Sequence, residues 1–208
     1  MLEAQGLTCS KGTRLLFEDL SFQLGAGQLL RVTAPNGHGK TSLLRILCGL
    51  ARADAGTVCW RGDDIHRLGS AYRQQMLYLG HADALADSLT PLENLCFLCQ
   101  AQADAVTTAA CRDALCRMGL TAMLDLPARL LSRGQRRRVM LARLSLRPAR
   151  PLWILDEPFN LLDAATVAAL TRTLASHCDN GGLVLLTTHQ EVAFDRPVHT
   201  LDLGPRAP

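Results

Sequence analysis

Short apolar runs separated by turn-forming residues make up the first sixty positions of the chain. The runs lie at positions 20–24, 28–33 and 57–60, with glycine-containing turns around 25–27 and 54–56. Runs of this length between turns are typical of strands. Between the second and third runs, positions 39–48 form a helical pattern that stops at Gly49. The chain is therefore expected to begin with a β-rich region that contains one loop and helix.

Positions 90–147 have helical spacing and carry no strand pattern. Thr90, Pro91 and Glu93 mark a helix start, because they supply a hydroxyl cap, a proline in the first turn and the acidic partner of a capping box. Strand patterns return at 152–155 and 183–187, on either side of a helix expected at 164–178. Strands that alternate with helices predict a parallel sheet.

The predicted organisation is one α/β domain over residues 1–208. Its core and β subdomain cover about 1–81 and 151–208, and a helical insert covers about 82–150. Residues 204–208 are expected to be a frayed end. About eighteen consecutive apolar residues are needed to span a membrane, and the sequence has no such run. The first residues lack a basic leader followed by a long apolar segment, so we expect a cytoplasmic protein without a secretory signal.

Charge and cysteine content narrow the class of protein only a little. The net charge is +3, with both signs interleaved, and it identifies no partner. The 8 cysteines lie in apolar surroundings, which predicts reduced core thiols. Cys96 and Cys99 form a Cys-x-x-Cys pair, but they lie in an apolar helical stretch with no nearby basic residue, so the same interpretation applies to them.

The stretch from position 34 to 41 fits the phosphate-loop pattern, with alanine in place of its first glycine. It follows an apolar strand and opens a helix, where backbone N–H groups and the helix dipole favour a polyphosphate. Lys40 is expected to reach the β and γ phosphates, and the Thr41 hydroxyl to bind Mg²⁺. The predicted ATP-binding residues of the loop are Ala34, Pro35, Asn36, Gly37, His38, Gly39, Lys40, Thr41 and Ser42.

A second candidate site is the acidic end of the apolar strand at 152–155. Asp156 and Glu157 follow it directly, where the carboxyl edge of a sheet faces a bound ligand. Asp156 is expected to bind Mg²⁺, and Glu157 to act as the general base on the attacking water. Taken alone, a strand that ends in a solvated acidic turn explains this pattern equally well.

Leu131-Ser132-Arg133-Gly134-Gln135 precedes the acidic strand by about twenty residues and resembles the signature of ABC ATPases, with arginine at its third position. Phosphate loop, signature, acidic strand and His189 occur in the order of that family. The resemblance implies a P-loop NTPase fold of ABC type, with a RecA-like core, an antiparallel β subdomain and a helical insert. It also implies a homodimer in which Ser132, Gly134 and Gln135 of one copy contact ATP held by the other.

The same resemblance assigns roles to further residues and reveals departures from the family pattern. It implies that His189 contacts the γ-phosphate and that residues 160–163 cross the dimer interface. His81 stands where the family has a glutamine that contacts the metal, so we assign His81 to the Mg²⁺ site. Arg133 in the signature is expected to tune dimer closure, and residues 8–12 provide no aromatic side chain for the adenine.

The three arginines at 136–138 also fit a nucleic-acid footprint. No aromatic residues are interleaved with them, so we expect no nucleic-acid partner and interpret them as a helix face beside the phosphates.

Four stretches, at 78–81, 89–95, 152–159 and 186–190, are similar to the cytochrome c maturation ATPases of the CcmA type. That resemblance implies a peripheral ATPase on the cytoplasmic face of the bacterial inner membrane. It implies integral membrane partners of the CcmB and CcmC type, and haem as a cargo met only indirectly, through haem export or release of a haem-loaded periplasmic chaperone. The alternatives are the ATPase of another small ABC transporter and a soluble nucleotide-dependent clamp.

Overall fold

A computed structural model describes residues 1–101, 105–146 and 150–204. Short 3₁₀ turns lie at Thr121–Met123 and Ala128–Leu130. The described strands are β1 (Leu2–Lys11), β2 (Arg14–Leu24), β3 (Leu29–Thr33), β4 (Ala55–Trp60), β5 (Asp63–Asp64), β6 (Met76–Leu79), β7 (Leu152–Leu155), β8 (Leu183–Thr187) and β9 (His199–Asp202). The described helices are α1 (Lys40–Leu47), α2 (Ile65–Leu68), α3 (Ser70–Gln74), α4 (Pro91–Gln100), α5 (Thr108–Arg117), α6 (Arg133–Ser145) and α7 (Ala164–Asp179).

The chain divides into two compact units. The first contains Met1–Tyr78, Arg150–Glu157 and Leu174–Pro208, and the second contains Leu79–Ala149 and Pro158–Thr173. The organisation as one domain with an insert at 82–150 stays a prediction. Within the predicted insert, residues 102–104 and 147–149 lie outside the described residues, as do residues 205–208 of the predicted frayed end.

An antiparallel sheet in the first unit has the strand order β2-β1-β4-β5. The predicted strands at 20–24 and 57–60 belong to it, but β1 was not predicted. Its pairing with β2 is shifted at three places, so buried and exposed positions do not alternate regularly along it. Gly6 has a φ of 59°, and a side chain at Gly56 would collide with the Gly6 carbonyl. These irregularities hide β1 from a search for strict alternation.

The second sheet has the order β6-β7-β8-β3-β9. β3 pairs in parallel with both β8 and β9, and β7 pairs in parallel with β8, which confirms the predicted α/β class. β7 and β8 have the predicted bounds, and they are buried along their whole length. Parallel neighbours β7, β8 and β3 end at one edge of the sheet, so the residues that follow them meet there.

In the second unit, α4, α5 and α6 pack against one another around buried apolar side chains. The predicted capping box of α4 is confirmed: Thr90 Oγ1 accepts from Glu93 N at 3.2 Å, and Glu93 Oε2 accepts from Thr90 N at 2.8 Å. Residues 90–101 and 105–146 contain no strand, as the helical spacing predicts.

Two further findings concern the chain as a whole. Over the described residues, none of the helices combines the length and apolar character that crossing a bilayer requires. The eight cysteines are free thiols, and five of them are buried, in agreement with the interpretation as core residues. Burial raises the pKa of the Cys48 and Cys111 thiols, which keeps both in the unreactive protonated form.

Candidate nucleotide-binding site

The predicted phosphate loop lies between the end of β3 at Thr33 and the start of α1 at Lys40. Gly37 and Gly39 have φ angles of 78° and 88°, in the left-handed region that glycine adopts without strain. Gly39 is also crowded, because a Cβ there would lie 3.1 Å from Leu16 Cβ. The loop therefore needs glycine for both conformation and space, and it leads directly into a helix N-terminus.

Lys40 is folded against this loop. Its side chain is buried, and its Nζ donates to the Ala34 carbonyl at 2.6 Å and to the Pro35 carbonyl at 3.3 Å. A buried ammonium needs such polar partners, because desolvation of an unpaired charge is costly. The cation is thus held at the phosphate loop by the first residues of the loop itself.

Asp156 is fixed by two hydroxyl groups on two different elements. Thr41 Oγ1 donates to Asp156 Oδ2 at 3.1 Å, and Thr187 Oγ1 donates to Asp156 Oδ1 at 2.8 Å. The carboxylate is 2 % exposed, so these bonds act in a medium of low dielectric constant. The acidic end of β7 therefore faces the first turn of α1, as expected for neighbouring parallel strands.

Glu157 has an unusual backbone, with a φ of 48° in the left-handed region. Its N–H donates to Thr187 Oγ1 at 2.9 Å, and its Oε2 accepts from His189 Nδ1 at 3.1 Å. The Glu157 side chain is 10 % exposed, whereas that of His189 is 59 % exposed. Strained backbone of this kind is found where a functional side chain must be held in one direction. Here it places the largely buried Glu157 carboxylate beside the accessible His189 imidazole.

Thr187 is the residue of this site that sequence reasoning missed. Its hydroxyl donates to Asp156 and accepts from the Glu157 N–H, so one buried side chain positions both acidic residues. The available signal was a polar residue at the end of an otherwise apolar strand, which needs a hydrogen-bond partner when it is buried.

The oxygen atoms at this edge of the sheet suit a hard cation. Thr41 and Asp156 supply a hydroxyl and a carboxylate oxygen within hydrogen-bonding distance of each other, and Mg²⁺ takes oxygen ligands and keeps several waters. The described residues contain no group of three His, Cys, Asp or Glu side chains that could hold a metal by themselves. His81 lies in the second unit, and its assignment to the metal stays a prediction.

The signature residues lie at the start of α6 in the second unit. Ser132 is the N-cap: its Oγ accepts from Gln135 N at 3.2 Å, and Gln135 Oε1 accepts from Ser132 N at 2.7 Å. Gly134 leaves no room for a side chain, since a Cβ there would lie 2.7 Å from the Leu161 carbonyl. The signature thus packs against the segment that includes Leu161, while Arg133 is exposed at the first position of the helix.

The arginines at 136–138 bind groups within their own unit. Arg136 donates two bonds of 2.8 Å to the Asp83 carboxylate and one of 2.7 Å to Asp87. This guanidinium holds the pKa of the Asp83 carboxyl below its ordinary value. Arg137 donates to the Gly80 carbonyl at 2.9 Å, and Arg138 donates to the Met118 carbonyl at 3.3 Å. These contacts give the three arginines a role in holding residues 80–87 and 118 to α6.

The predicted site residues therefore fall into two sets. The first unit contains the phosphate loop with Lys40, Thr41 and Ser42, together with Asp156, Glu157 and His189. The second unit contains His81, Ser132, Gly134 and Gln135. The first set, at the ends of β3, β7 and β8, has the features of a P-loop nucleotide-binding protein.

Comparison with known proteins identifies the family. The family model described as ABC transporter matches residues 17–160. A protein from Aromatoleum aromaticum named cytochrome c biogenesis ATP-binding export protein CcmA is 58 % identical over 204 residues, covering 98 % of this chain and 95 % of the relative. The protein of the same name from Escherichia coli K12 is 48 % identical over 190 residues, covering 91 % of this chain and 89 % of the relative.

A solved structure described as the dimeric structure of a bacterial ABC transporter cassette has the same fold. Its TM-score is 0.83 at 20 % identity, covering 98 % of this chain and 95 % of that chain. The chain belongs to the ABC transporter ATPases and, within them, to the CcmA family. Both the fold and the family expected from the sequence are thereby confirmed.

Proposed function

We propose that this chain is the ATP-binding and ATP-hydrolysing subunit of an export complex for cytochrome c biogenesis. One observation carries the proposal: a phosphate loop, two buried acidic residues and a histidine meet at the ends of three neighbouring strands. The CcmA relatives, named ATP-binding export proteins, support the assignment of this site to that system.

ATP is bound in this proposal by the phosphate loop, where the N–H groups around Gly37 and Gly39 and the Lys40 ammonium meet the phosphate oxygens. Thr41 and Asp156 hold Mg²⁺, which neutralises phosphate charge when it is bound. The hydrogen bond between the two side chains supports this pairing, because both are already directed at one place.

Glu157 is the proposed general base. Its carboxylate is largely shielded, lies next to Asp156 at the strand end, and can accept a proton from an attacking water. His189 donates to that carboxylate and so keeps it oriented; its exposed ring is also free to contact the terminal phosphate. Thr187 is a positioning residue, because it acts through Asp156 and Glu157.

A homodimer completes the site in this proposal. Ser132, Gly134 and Gln135 lie in the first turn of α6 or just before it, where backbone N–H groups and the helix dipole favour an anion. This arrangement suits the γ-phosphate of ATP bound to a second copy. Two nucleotides would then be enclosed between two chains, and hydrolysis would reopen the dimer.

Membership of the CcmA family supports a proposal for the partners and the location. We place the chain on the cytoplasmic face of the bacterial inner membrane, as a peripheral subunit bound to integral subunits of the CcmB and CcmC type. The chain energises haem export or release of the haem-loaded chaperone, and it meets haem only through these partners.

ATP turnover by the complex purified from membranes tests the proposal. Lys40→Ala and Glu157→Gln should each abolish turnover, whereas the controls Arg67→Ala and Glu18→Gln change exposed residues of α2 and β2 and should not. Retained turnover in both site variants would remove the site assignment. Recovery of the chain without any integral membrane subunit, together with no hydrolysis in a single-turnover assay, would favour the soluble clamp instead.

A further inference from the structure

Arg14 lies beside the phosphate loop although it comes from a different part of the chain. It is the first residue of β2 and pairs with Lys11 of β1 across a hairpin turn. Its Nη2 is 3.3 Å from His38 Nε2, and its Nη1 is 3.8 Å from where a Cβ on Gly37 would be. The hairpin therefore brings a guanidinium to the middle of the loop that receives phosphate.

The hydrogen bonds of His38 fix its tautomer. Asn36 O, 3.1 Å from His38 Nδ1, can only accept, so Nδ1 carries the proton. Arg14 can only donate, so Nε2 is the acceptor. His38 thus connects the loop backbone to the guanidinium and holds Arg14 in place.

The Arg14 charge is suited to an anionic ligand. In the part of the chain that the structure describes, no carboxylate forms an ion pair with Arg14. A guanidinium presents several N–H donors in a planar fork that matches phosphate oxygens, and one of them is used on His38. Arg14 and Lys40 then provide two cations at one loop, which suits a polyphosphate better than a monophosphate.

We propose that Arg14 is a further phosphate-binding residue of the nucleotide site and that His38 positions it. The ligand class is a nucleoside triphosphate, bound through its phosphates and not through its base. This inference rests on the proposed function, because the loop must bind a nucleotide for Arg14 to contribute.

Calorimetric titration of the full chain with ATP and with inorganic tripolyphosphate, at low salt, tests the inference. Tripolyphosphate has no base, so it isolates the phosphate contacts. Arg14→Ala should weaken both ligands by the same factor, about tenfold, as expected for loss of a charge-assisted bond. Arg14→Lys should recover about half of that loss on a logarithmic scale, because it keeps the charge and loses the fork.

Arg67→Ala is the matched control, since it removes one exposed positive charge from the first unit at a position with no assigned contact to the nucleotide, and it should change either affinity by less than about twofold. His38→Ala should weaken binding by about threefold. Adding Arg14→Ala to it should cost less than in the wild type, because the two residues act together.

Three outcomes would overturn the inference. A loss for ATP without a loss for tripolyphosphate would make Arg14 a base contact. Equal effects of Arg14→Ala and Arg67→Ala would reduce it to general electrostatics. An unchanged affinity in Arg14→Ala, with binding abolished by Lys40→Ala, would remove Arg14 from the site and leave the proposed function standing. If the wild-type chain bound neither ligand, the proposed function itself would fail, and the inference with it.

Discussion

The strand-end site of the first unit and the signature region of the second unit are each stabilised by a different kind of contact. Around Asp156 and Glu157, the contacts are hydrogen bonds that involve hydroxyl and backbone groups, and both acidic residues are buried. Around the signature, Arg136 binds Asp83 and Asp87 through charges that are partly exposed. The first arrangement is insensitive to salt and hard to change without cost, whereas the second is adjustable.

This difference suits the proposed functions of the two regions, hydrolysis at the strand-end site and the dimer contact at the signature. A site that moves a proton needs fixed geometry, so buried and fully paired groups serve it well. The proposed dimer contact at the signature must form and release, so contacts that can loosen at small cost suit it. The Arg136 contacts join residues 83 and 87, just beyond His81, to the helix that begins with the signature.

The largest effect is expected from Thr187→Val. The change removes the donor to Asp156 Oδ1 and the acceptor of the Glu157 N–H, so two buried polar groups each lose a hydrogen bond. Turnover of the complex should fall about a hundredfold, because the base loses its position. The free energy of unfolding should fall by about 2 kcal/mol. Steady-state ATPase assays and urea unfolding measure these two effects.

Two variants test whether the Thr187 hydroxyl is responsible. Thr187→Ser keeps that hydroxyl and should retain most of the turnover. Thr188→Val removes the neighbouring hydroxyl, which accepts from Gln190 N and touches neither acidic residue, and turnover should change little. Equal losses of turnover in Thr187→Val and Thr188→Val would show that the strand end tolerates no apolar replacement. Thr187 would then not be a specific positioning residue.

Gly134→Ala is expected to have the next largest effect, and it acts on the second unit. The new methyl group would lie 2.7 Å from the Leu161 carbonyl, so the helix start or the Leu161 segment must move. The free energy of unfolding should fall by about 1–3 kcal/mol, seen as a lower urea midpoint. Arg133→Ala, one residue earlier and exposed, should leave the midpoint within about 0.5 kcal/mol of the wild type. A stable Gly134→Ala chain would mean that this contact is easily relaxed.

The sequence predicts the strand-end site of the first unit better than the contacts around the signature in the second unit. The loop before Lys40 and the acidic end of β7 are local patterns, and each depends on residues that are close in the chain. Parallel strands bring such patterns together by topology, so their convergence follows from the fold class. The role of Thr187 was not predicted because it depends on which strand lies between β3 and β7. The sequence pattern does not specify strand order.

The ionic contacts of the second unit were beyond prediction for another reason. Arg136 and Asp83 are 53 positions apart, and nothing in either neighbourhood indicates the other. A run of arginines has many possible partners, from phosphate to carbonyl oxygen. β1 was missed because its bulges interrupt the alternation that identifies a strand.

Asp83→Asn should lower the free energy of unfolding at neutral pH by about 1 kcal/mol, since the pair is only partly buried. Arg136 lowers the pKa of the folded-state carboxyl. The stabilisation is therefore fully present above the unfolded-state pKa, about 3.9, and is lost as the pH falls through the lower folded-state value. Urea unfolding at a series of pH values should show the variant and the wild type converging below about pH 4.

Asp125→Asn is the control for this pH series, because Asp125 is an exposed aspartate of the same unit. Its unfolding curve should follow that of the wild type at every pH. A difference between Asp83→Asn and the wild type that persisted at the lowest pH would show that packing, and not charge, stabilises this contact. High salt should reduce the Asp83 effect at neutral pH.

Ser132→Ala should lower stability no more than Asp83→Asn does, and it is informative because the same unit contains a second N-cap for comparison. Ser132 and Thr107 are both N-caps of helices in the second unit, and each accepts from the N–H three residues on at 3.2 Å. Replacing either by alanine should lower the free energy of unfolding by about 1 kcal/mol. If Ser132 also contacts the nucleotide of a second copy, Ser132→Ala should reduce ATP-dependent dimerisation, measured by light scattering, while Thr107→Ala leaves it intact. Equal dimerisation in the two variants would restrict Ser132 to capping α6, and the proposed dimer contact would then have to come from the backbone of residues 133–135 alone.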